Sequence, residues 1–330
     1  MTKKSEKKVD KVSIIGTGAW GTALAYLTSK NVENVMFYST DKEKIKEFNQ
    51  THINKNYFPD VVMADNVVGT YESISLANSD AFIFAVPVQH LRRVLISLEE
   101  ALKSNILAPI IICSKGIENR SNKLMSQVVN ELEFPNPVVM LAGPNFAKDV
   151  IANKASATTI ASYNQQALTI TEEIFASDKF KVEKISDVIG LQICSAIKNI
   201  YAIGAGIANG LDLGENFSAA FIKVAINEMQ SMLRYLNADS QTVSTYGGVG
   251  DLFLTCSSPT SRNFEFGRLI AKDHHNIKQL TEKKTIEGYY TLFSIKALLD
   301  HYKGVELQLI NLIYQIVYNN MHPLIIEKII

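Results

Sequence analysis

Cysteine is scarce in this sequence, and so are the other markers of an unusual class of protein. Cys113, Cys194 and Cys256 stand far apart in a chain of 330 residues. Their odd number, with no CxxC pair and no Cys/His cluster, argues against a disulfide framework and a structural zinc site. It fits a reducing compartment such as the cytoplasm. The histidines, including His90 and the His274-His275 pair, show no ligand spacing, so no metal is expected. Charge of one sign is missing too: Lys+Arg and Asp+Glu each total 33. Without a global field, nothing draws nucleic acid or an anionic membrane, and any anion must be recognised by a local site. No uninterrupted apolar run approaches the roughly 18 residues of a membrane span. The lysine-rich residues 1–11 lead into an apolar run, 12–15, with the length of a strand and not of a signal-peptide core. The expectation is a soluble chain with a solvated basic tip and no membrane anchor.

What is abundant is apolar material, 47% of the chain. Such a length exceeds one ordinary core and predicts two domains. In the first half, short β-branched runs at 12–15, 35–38, 81–86, 110–113, 138–141 and 158–161 alternate with amphipathic stretches such as 22–30 and 42–50. That alternation predicts an α/β domain with a doubly wound parallel sheet and right-handed crossovers. Near Ile185 the pattern changes. Helical stretches follow at 188–202, 217–236, 264–271, 290–301 and 307–318. Breaks are expected at Gly204-Ala205-Gly206, Gly247-Gly248-Val249-Gly250 and Ser257-Ser258-Pro259. The organisation read from this is an α/β domain over 1–186 and an all-α domain over 187–330.

The first expected strand runs straight into Gly16-Thr17-Gly18-Ala19-Trp20-Gly21, and a helix opens behind it. Gly16 allows the tight turn, Gly18 lets backbone approach a pyrophosphate, and Gly21 lets helix and strand pack closely. The helix N-terminus then offers N–H groups and a positive dipole to the phosphates. Strand, turn and helix in this order make residues 1–186 a Rossmann-type dinucleotide-binding domain. The choice between NAD and NADP is read at the tip of the second strand, here Tyr38-Ser39-Thr40-Asp41-Lys42. Ser39, Thr40 and Lys42 could take a 2′-phosphate and Asp41 a ribose hydroxyl, so both cofactors stay open. Phe84-Ala85-Val86-Pro87 and Ser114-Lys115-Gly116 end two further strands at the edge where cofactor binds.

In the second half, Lys198-Asn199 sits within a nearly apolar stretch, 191–210. Taken alone, such a lysine favours snorkelling to water. Pointed into a cleft, it would have the lowered pKa that proton transfer needs. A second cluster shifts the balance to the cleft: Asp251 and Thr255, four apart, share one helix face. Ser261-Arg262-Asn263 follows, with a planar guanidinium suited to phosphate.

At this point the sequence resembles the NAD(P)-dependent glycerol-3-phosphate dehydrogenases, particularly the bacterial type. The resemblance is carried in order by residues 16–21, Ala85-Val86-Pro87, Ser114-Lys115-Gly116-Ile117-Glu118 and Ala142-Gly143-Pro144-Asn145-Phe146-Ala147. It continues through Ala196-Ile197-Lys198-Asn199, Gly250-Asp251-Leu252 with Thr255-Cys256, Ser261-Arg262-Asn263, and Glu287-Gly288. It implies that Lys198 is the general acid/base, supported by Asp251. It places Lys115, Gly143, Asn145, Asn199 and Thr255 in the substrate site, with Ser261, Arg262 and Asn263. To the cofactor it assigns Gly16, Gly18, Ala19, Trp20, Gly21, Thr40 and Pro87, joined by Lys115, Ala147, Arg262, Thr285 and Glu287. Three positions depart from the family pattern. Thr40 stands where Arg or His is common, Asn145 where Ser or Thr is usual, and Gln308 where proline is common.

The reaction implied is hydride transfer between nicotinamide and C2 of dihydroxyacetone phosphate, giving sn-glycerol 3-phosphate for glycerophospholipid synthesis, in a cytoplasmic homodimer. Two rivals are a hydroxy-acid dehydrogenase, which would need a carboxylate site at 261–263, and a dinucleotide sensor, which would not need Lys198 with Asp251.

Overall fold

A computed structural model describes residues 9–119, 121–283, 286–301 and 307–329; most of the basic tip lies outside them. The chain divides into two compact units. One comprises residues 1–114, 128–141 and 145–186, the other 115–127, 142–144 and 187–330. Two segments of the N-terminal half in sequence, 115–127 and 142–144, therefore belong to the second unit.

The first unit carries an eight-stranded sheet. Its strands are β1 (Lys11–Ile15), β2 (Asn34–Tyr38), β3 (Val67–Thr70), β4 (Ala81–Phe84), β5 (Ile110–Ile112), β6 (Val138–Ala142), β7 (Ser156–Ala161) and β8 (Phe180–Ile185). They lie in the order β3-β2-β1-β4-β5-β6-β7-β8. Parallel pairing joins β3 to β2, β2 to β1, β1 to β4, β4 to β5, β5 to β6 and β7 to β8. The order reverses between β1 and β4, the switch point at which a doubly wound sheet opens a crevice. Both β4 and β5 are buried along their whole length, as strands covered on both faces must be. The connecting helices are α1 (Ala19–Thr28), α2 (Lys42–Thr51), α3 (Val88–Ser97), α4 (Glu99–Lys103), α5 (Met125–Glu131), α6 (Ala147–Ile151) and α7 (Gln165–Phe175).

Two strands fall outside the sequence-based set, and both are edges. β3 is a four-residue strand with a glycine in it. β8 carries Lys181, Glu183 and Lys184 on a half-exposed strand. Charged, short edges discourage further pairing, and for the same reason they hide the apolar alternation that reveals a strand.

The second unit is helical: α8 (Val188–Gly210), α9 (Gly214–Tyr235), α10 (Asp251–Ser257), α11 (Arg262–Lys272), α12 (Ile277–Lys283), α13 (Glu287–His301) and α14 (Gln308–Asn319). α8 is long and apolar enough to cross a bilayer, but 89% of its apolar window is buried within the protein. Ile197, Ile200, Tyr201 and Ile203 of α8 belong to a hydrophobic core cluster of buried residues.

The break expected at Gly204-Ala205-Gly206 does not occur, and α8 runs through it. A Cβ on Gly206 would stand 2.0 Å from the Phe264 carbonyl oxygen, and one on Gly267 would stand 2.0 Å from that of Ile203. These glycines let the backbones of α8 and α11 touch. The break expected at 247–250 is instead a π-helical turn, Tyr246–Gly250, leading directly into α10. The third break holds: α10 ends at Ser257.

Candidate active site

In the first unit, the turn after β1 has the form its glycines demand. Gly16 adopts φ +110°, and a Cβ there would meet the Ala85 carbonyl oxygen at 2.7 Å. A Cβ on Gly21 would come within 1.8 Å of the Gly16 oxygen. Around Gly18 the space is open, with nothing beyond its immediate chain neighbours within 4 Å of where its Cβ would lie. Gly18 is the N-cap of α1, no side chain caps it, and the first turn holds no acid. Backbone N–H groups and a positive helix end thus face open space, which fits a pyrophosphate.

Four more of the residues assigned to the cofactor lie in the first unit. Pro87 opens α3 and Ala147 opens α6. Trp20 is half-buried in the first turn of α1, and Thr40 is exposed beyond β2. Asp41 is engaged by the backbone, since its Oδ1 accepts the Lys44 N–H at 3.1 Å and caps α2. Lys42 Nζ lies 5.0 Å from the centre of the Tyr71 ring. Reading the sequence alone misses Asn54, whose buried amide donates to the Thr17 carbonyl at 3.0 Å and to Thr22 Oγ1 at 2.9 Å. An asparagine in an irregular excursion looks like turn chemistry until the fold closes over it.

The second unit brings Lys198, Asp251, Thr255 and Lys115 together. Lys198 does not snorkel: it is 4% exposed. Its ammonium donates to Asp251 Oδ1 at 2.5 Å and to Thr255 Oγ1 at 2.8 Å, and Thr255 donates in turn to the Asp251 carbonyl at 2.6 Å. The i, i+4 spacing of Asp251 and Thr255 on α10 makes this clamp. The π-helical turn ahead of α10 is held by Thr245 Oγ1, which accepts the Gly248 N–H at 3.1 Å. Lys115 reaches the other carboxylate oxygen of Asp251, donating at 2.8 Å, and lies 3.5 Å from the Gly143 carbonyl. One carboxylate is therefore shared by two ammonium groups.

Their electrostatics follow from that sharing. Burial pushes the Lys198 pKa down, Asp251 pulls it back, Lys115 pushes it down again, and it settles at about 8. For Asp251, burial alone would raise the carboxyl, but the two ammonium groups hold it below the usual carboxylate range. Lys115 stays above the usual lysine value because Asp251 outweighs the penalty of burial. A buried ammonium with a pKa near neutrality suits proton transfer.

In the second unit the remaining residues assigned to the substrate fall into two sets. Asn199 Nδ2 donates to Glu287 Oε2 at 3.5 Å, and Arg262 approaches Glu287 Oε1 at 3.9 Å with its side chain 58% exposed. Asn263 Oδ1 accepts the Gly288 N–H at 2.9 Å, and Ser261 Oγ caps α11 by accepting the Phe264 N–H at 3.3 Å. Arg262 and Asn263 thereby stand in the first turn of α11. Asn145 belongs to the first unit and donates to the Ala157 carbonyl at 2.8 Å, while its Oδ1 has no partner among the described residues. Thr285 lies outside the described residues. No group of His, Cys, Asp and Glu among the described residues could hold a metal.

Comparison with known proteins gives a consistent result. The family described as NAD-dependent glycerol-3-phosphate dehydrogenase matches by its N-terminus over residues 11–168 and by its C-terminus over 187–327. A glycerol-3-phosphate dehydrogenase (NAD(P)+) of Enterococcus faecalis is 34% identical over 318 residues, covering 94% of this chain and 92% of its own. That of Neorickettsia sennetsu is 34% identical over 282 residues, 86% of this chain and 84% of its own. The crystal structure of glycerol-3-phosphate dehydrogenase from Coxiella burnetii superposes with a TM-score of 0.87 at 27% identity, covering 97% and 98% of the two chains.

Proposed function

The chain belongs to the NAD-dependent glycerol-3-phosphate dehydrogenase family, and from that premise we propose that Lys198 carries the proton in its interconversion of sn-glycerol 3-phosphate and dihydroxyacetone phosphate. The observation that carries this reading is the buried Lys198 ammonium, 2.5 Å from Asp251, with a pKa of about 8. When bound, NAD(H) or NADP(H) supplies the hydride to C2 of the ketone or takes it back. Lys198 donates its proton to the carbonyl oxygen as that oxygen becomes an alkoxide, and recovers it in the reverse direction. Asp251 and Thr255 hold the ammonium in one orientation, which removes the entropic cost of aligning it for each turnover.

The phosphate is assigned to Arg262 and Asn263, with Lys115 beside them. Gly143, Asn145, Asn199 and Ser261 are likewise assigned to the substrate in this reading. The first unit is the dinucleotide-binding domain, holding the phosphates at residues 16–21, and Thr40, Pro87, Ala147, Thr285 and Glu287 are assigned to the same cofactor. We further assign the protein to the cytoplasm, as a homodimer supplying glycerophospholipid synthesis.

The test is direct. The purified protein, given dihydroxyacetone phosphate, should oxidise both NADH and NADPH, with kcat/KM values within roughly tenfold, about 1.4 kcal/mol of discrimination. Just beyond the β2 tip the Asp41 carboxylate is occupied in capping α2. Reduction of a 2-keto acid with no turnover of the phosphorylated ketone would replace this reading by the hydroxy-acid alternative.

A further inference from the structure

We infer that Asn54 is a positioning residue for the cofactor: its buried amide orients the phosphate-binding turn from behind. The inference rests on the reading of that turn as the dinucleotide site. Asn54 lies between α2 and β3, in an excursion closed by the Ile53–Val62 bridge and by the Met63 N–H donating to the His52 carbonyl at 2.8 Å. Its own carbonyl accepts N–H groups from Tyr57 and Phe58, at 3.1 and 2.9 Å. The side chain is therefore carried on fixed backbone.

Both hydrogens of that amide are spent on the glycine motif. One goes to the Thr17 carbonyl, the other to Thr22 Oγ1. Having accepted that bond, the Thr22 hydroxyl donates its only proton to the Gly18 carbonyl at 2.9 Å, beside the Thr22 N–H at the same distance. The direction of the relay is thereby set: Asn54 to Thr22 to Gly18. In a trans peptide the carbonyl and the following N–H point oppositely. Holding the Thr17 and Gly18 carbonyls inward therefore turns the N–H groups of Gly18 and Ala19 outward, towards the open space at Gly18. A turn containing two glycines has wide conformational freedom of its own. An external tie of this kind lowers the ordering cost that an incoming pyrophosphate would otherwise meet.

The chain's only tryptophan is Trp20, inside this motif, so quenching of its emission reports cofactor binding without turnover. Asn54→Ala should weaken NADH binding about tenfold, equivalent to about 1.4 kcal/mol. In the ligand-free protein the Thr22 amide should exchange its hydrogen faster, because its acceptor is no longer held. Asn54→Asp, with the same shape and no donor, should be at least as weak as the alanine variant. At saturating NADH the KM for the ketone should not move. A merely structural role predicts lower global stability with unchanged NADH affinity in the folded protein. Should the Asn54 variants not fold, Thr22→Val removes the relay at nearly constant volume and carries the same expectation. A folded variant that binds NADH within about threefold of the original protein, with Thr22 exchange unchanged, overturns the inference. If the original protein itself shows no quenching by NADH, the cofactor reading fails; the exchange measurement on ligand-free protein still judges the relay.

Discussion

Lys198 is costly to bury as an ammonium, and the residues around it show what that burial achieves. Asp251 keeps the charge tolerable, while Lys115 keeps it from becoming too stable. Lys198→Ala should lower kcat by roughly 10²- to 10⁴-fold and leave the NADH dissociation constant unchanged. A rise in KM alone, with kcat preserved, would make Lys198 a binding group only. The pKa of about 8 also fixes the pH dependence in each direction. Ketone reduction requires the protonated amine, so its kcat/KM should fall as pH rises through about 8. Alcohol oxidation requires the free amine, and should rise through the same pH. Profiles moving in the same direction would assign the proton to another group. Arg262, more than half exposed and only loosely paired with Glu287, is the cation we assign to the phosphate. Arg262→Ala should reduce kcat/KM for dihydroxyacetone phosphate far more than for unphosphorylated dihydroxyacetone. Equal losses would move the phosphate site, with Lys115 the next candidate. Lys198, Asp251 and Thr255 were legible from local spacing and motif order. The tie between Lys115 and Asp251 was not, because 136 positions separate them in sequence.

Among the elements, α8 shows how a glycine's meaning depends on what packs against it. In an isolated helix Gly→Ala stabilises by about 1 kcal/mol, and a glycine pair reads as a break. Here a methyl group on Gly206 would have to occupy the position of a backbone oxygen of α11. Gly206→Ala should therefore destabilise the protein by about 1–3 kcal/mol, the usual range for an overpacked core. Denaturant unfolding measures this, and a gain in stability would mean that the α8–α11 approach relaxes freely. The start of α14 shows a second long-range dependence. Leu307 offers no capping side chain, and the carboxylate of Glu228 on α9 accepts the N–H groups of Leu309 and Ile310 at 2.5 and 3.2 Å. Tyr201 OH also donates to it, at 3.3 Å.

At the scale of the whole molecule, Glu228 makes stability depend on pH. Burial raises its carboxyl from the usual 4.5 to about 7, against the opposing hydrogen bonds from Leu309, Ile310 and Tyr201. Between those two values the folded chain retains a proton that the unfolded chain has lost, so raising the pH favours unfolding. This contribution is full below pH 4.5, declines through about 7 and is then gone, a span of about 3 kcal/mol. Glu228→Gln lacks the titration. Its unfolding free energy should change less between pH 5 and 8 than that of the original protein. Parallel pH curves for the two would remove Glu228 as the cause.

What the sequence determined by itself was most of what repeats locally or sits in one turn. Alternating strands and helices defined the α/β half, helical periodicity defined the rest, and the ordered motifs, residues 16–21 with Lys198 and Asp251 among them, carried the family resemblance. These signals survive because strand alternation, helix period and glycine turns are short-range properties of a chain. The tertiary structure decided what depends on distant neighbours. It paired the short edge strand β3 with β2 and the charged edge strand β8 with β7, set Lys115 on Asp251 and turned a glycine pair from a break into a contact. It also capped α14 from α9 and brought Asn54 behind the phosphate turn. In each case the deciding partner lies far off in sequence, and only burial against it gives the residue its role.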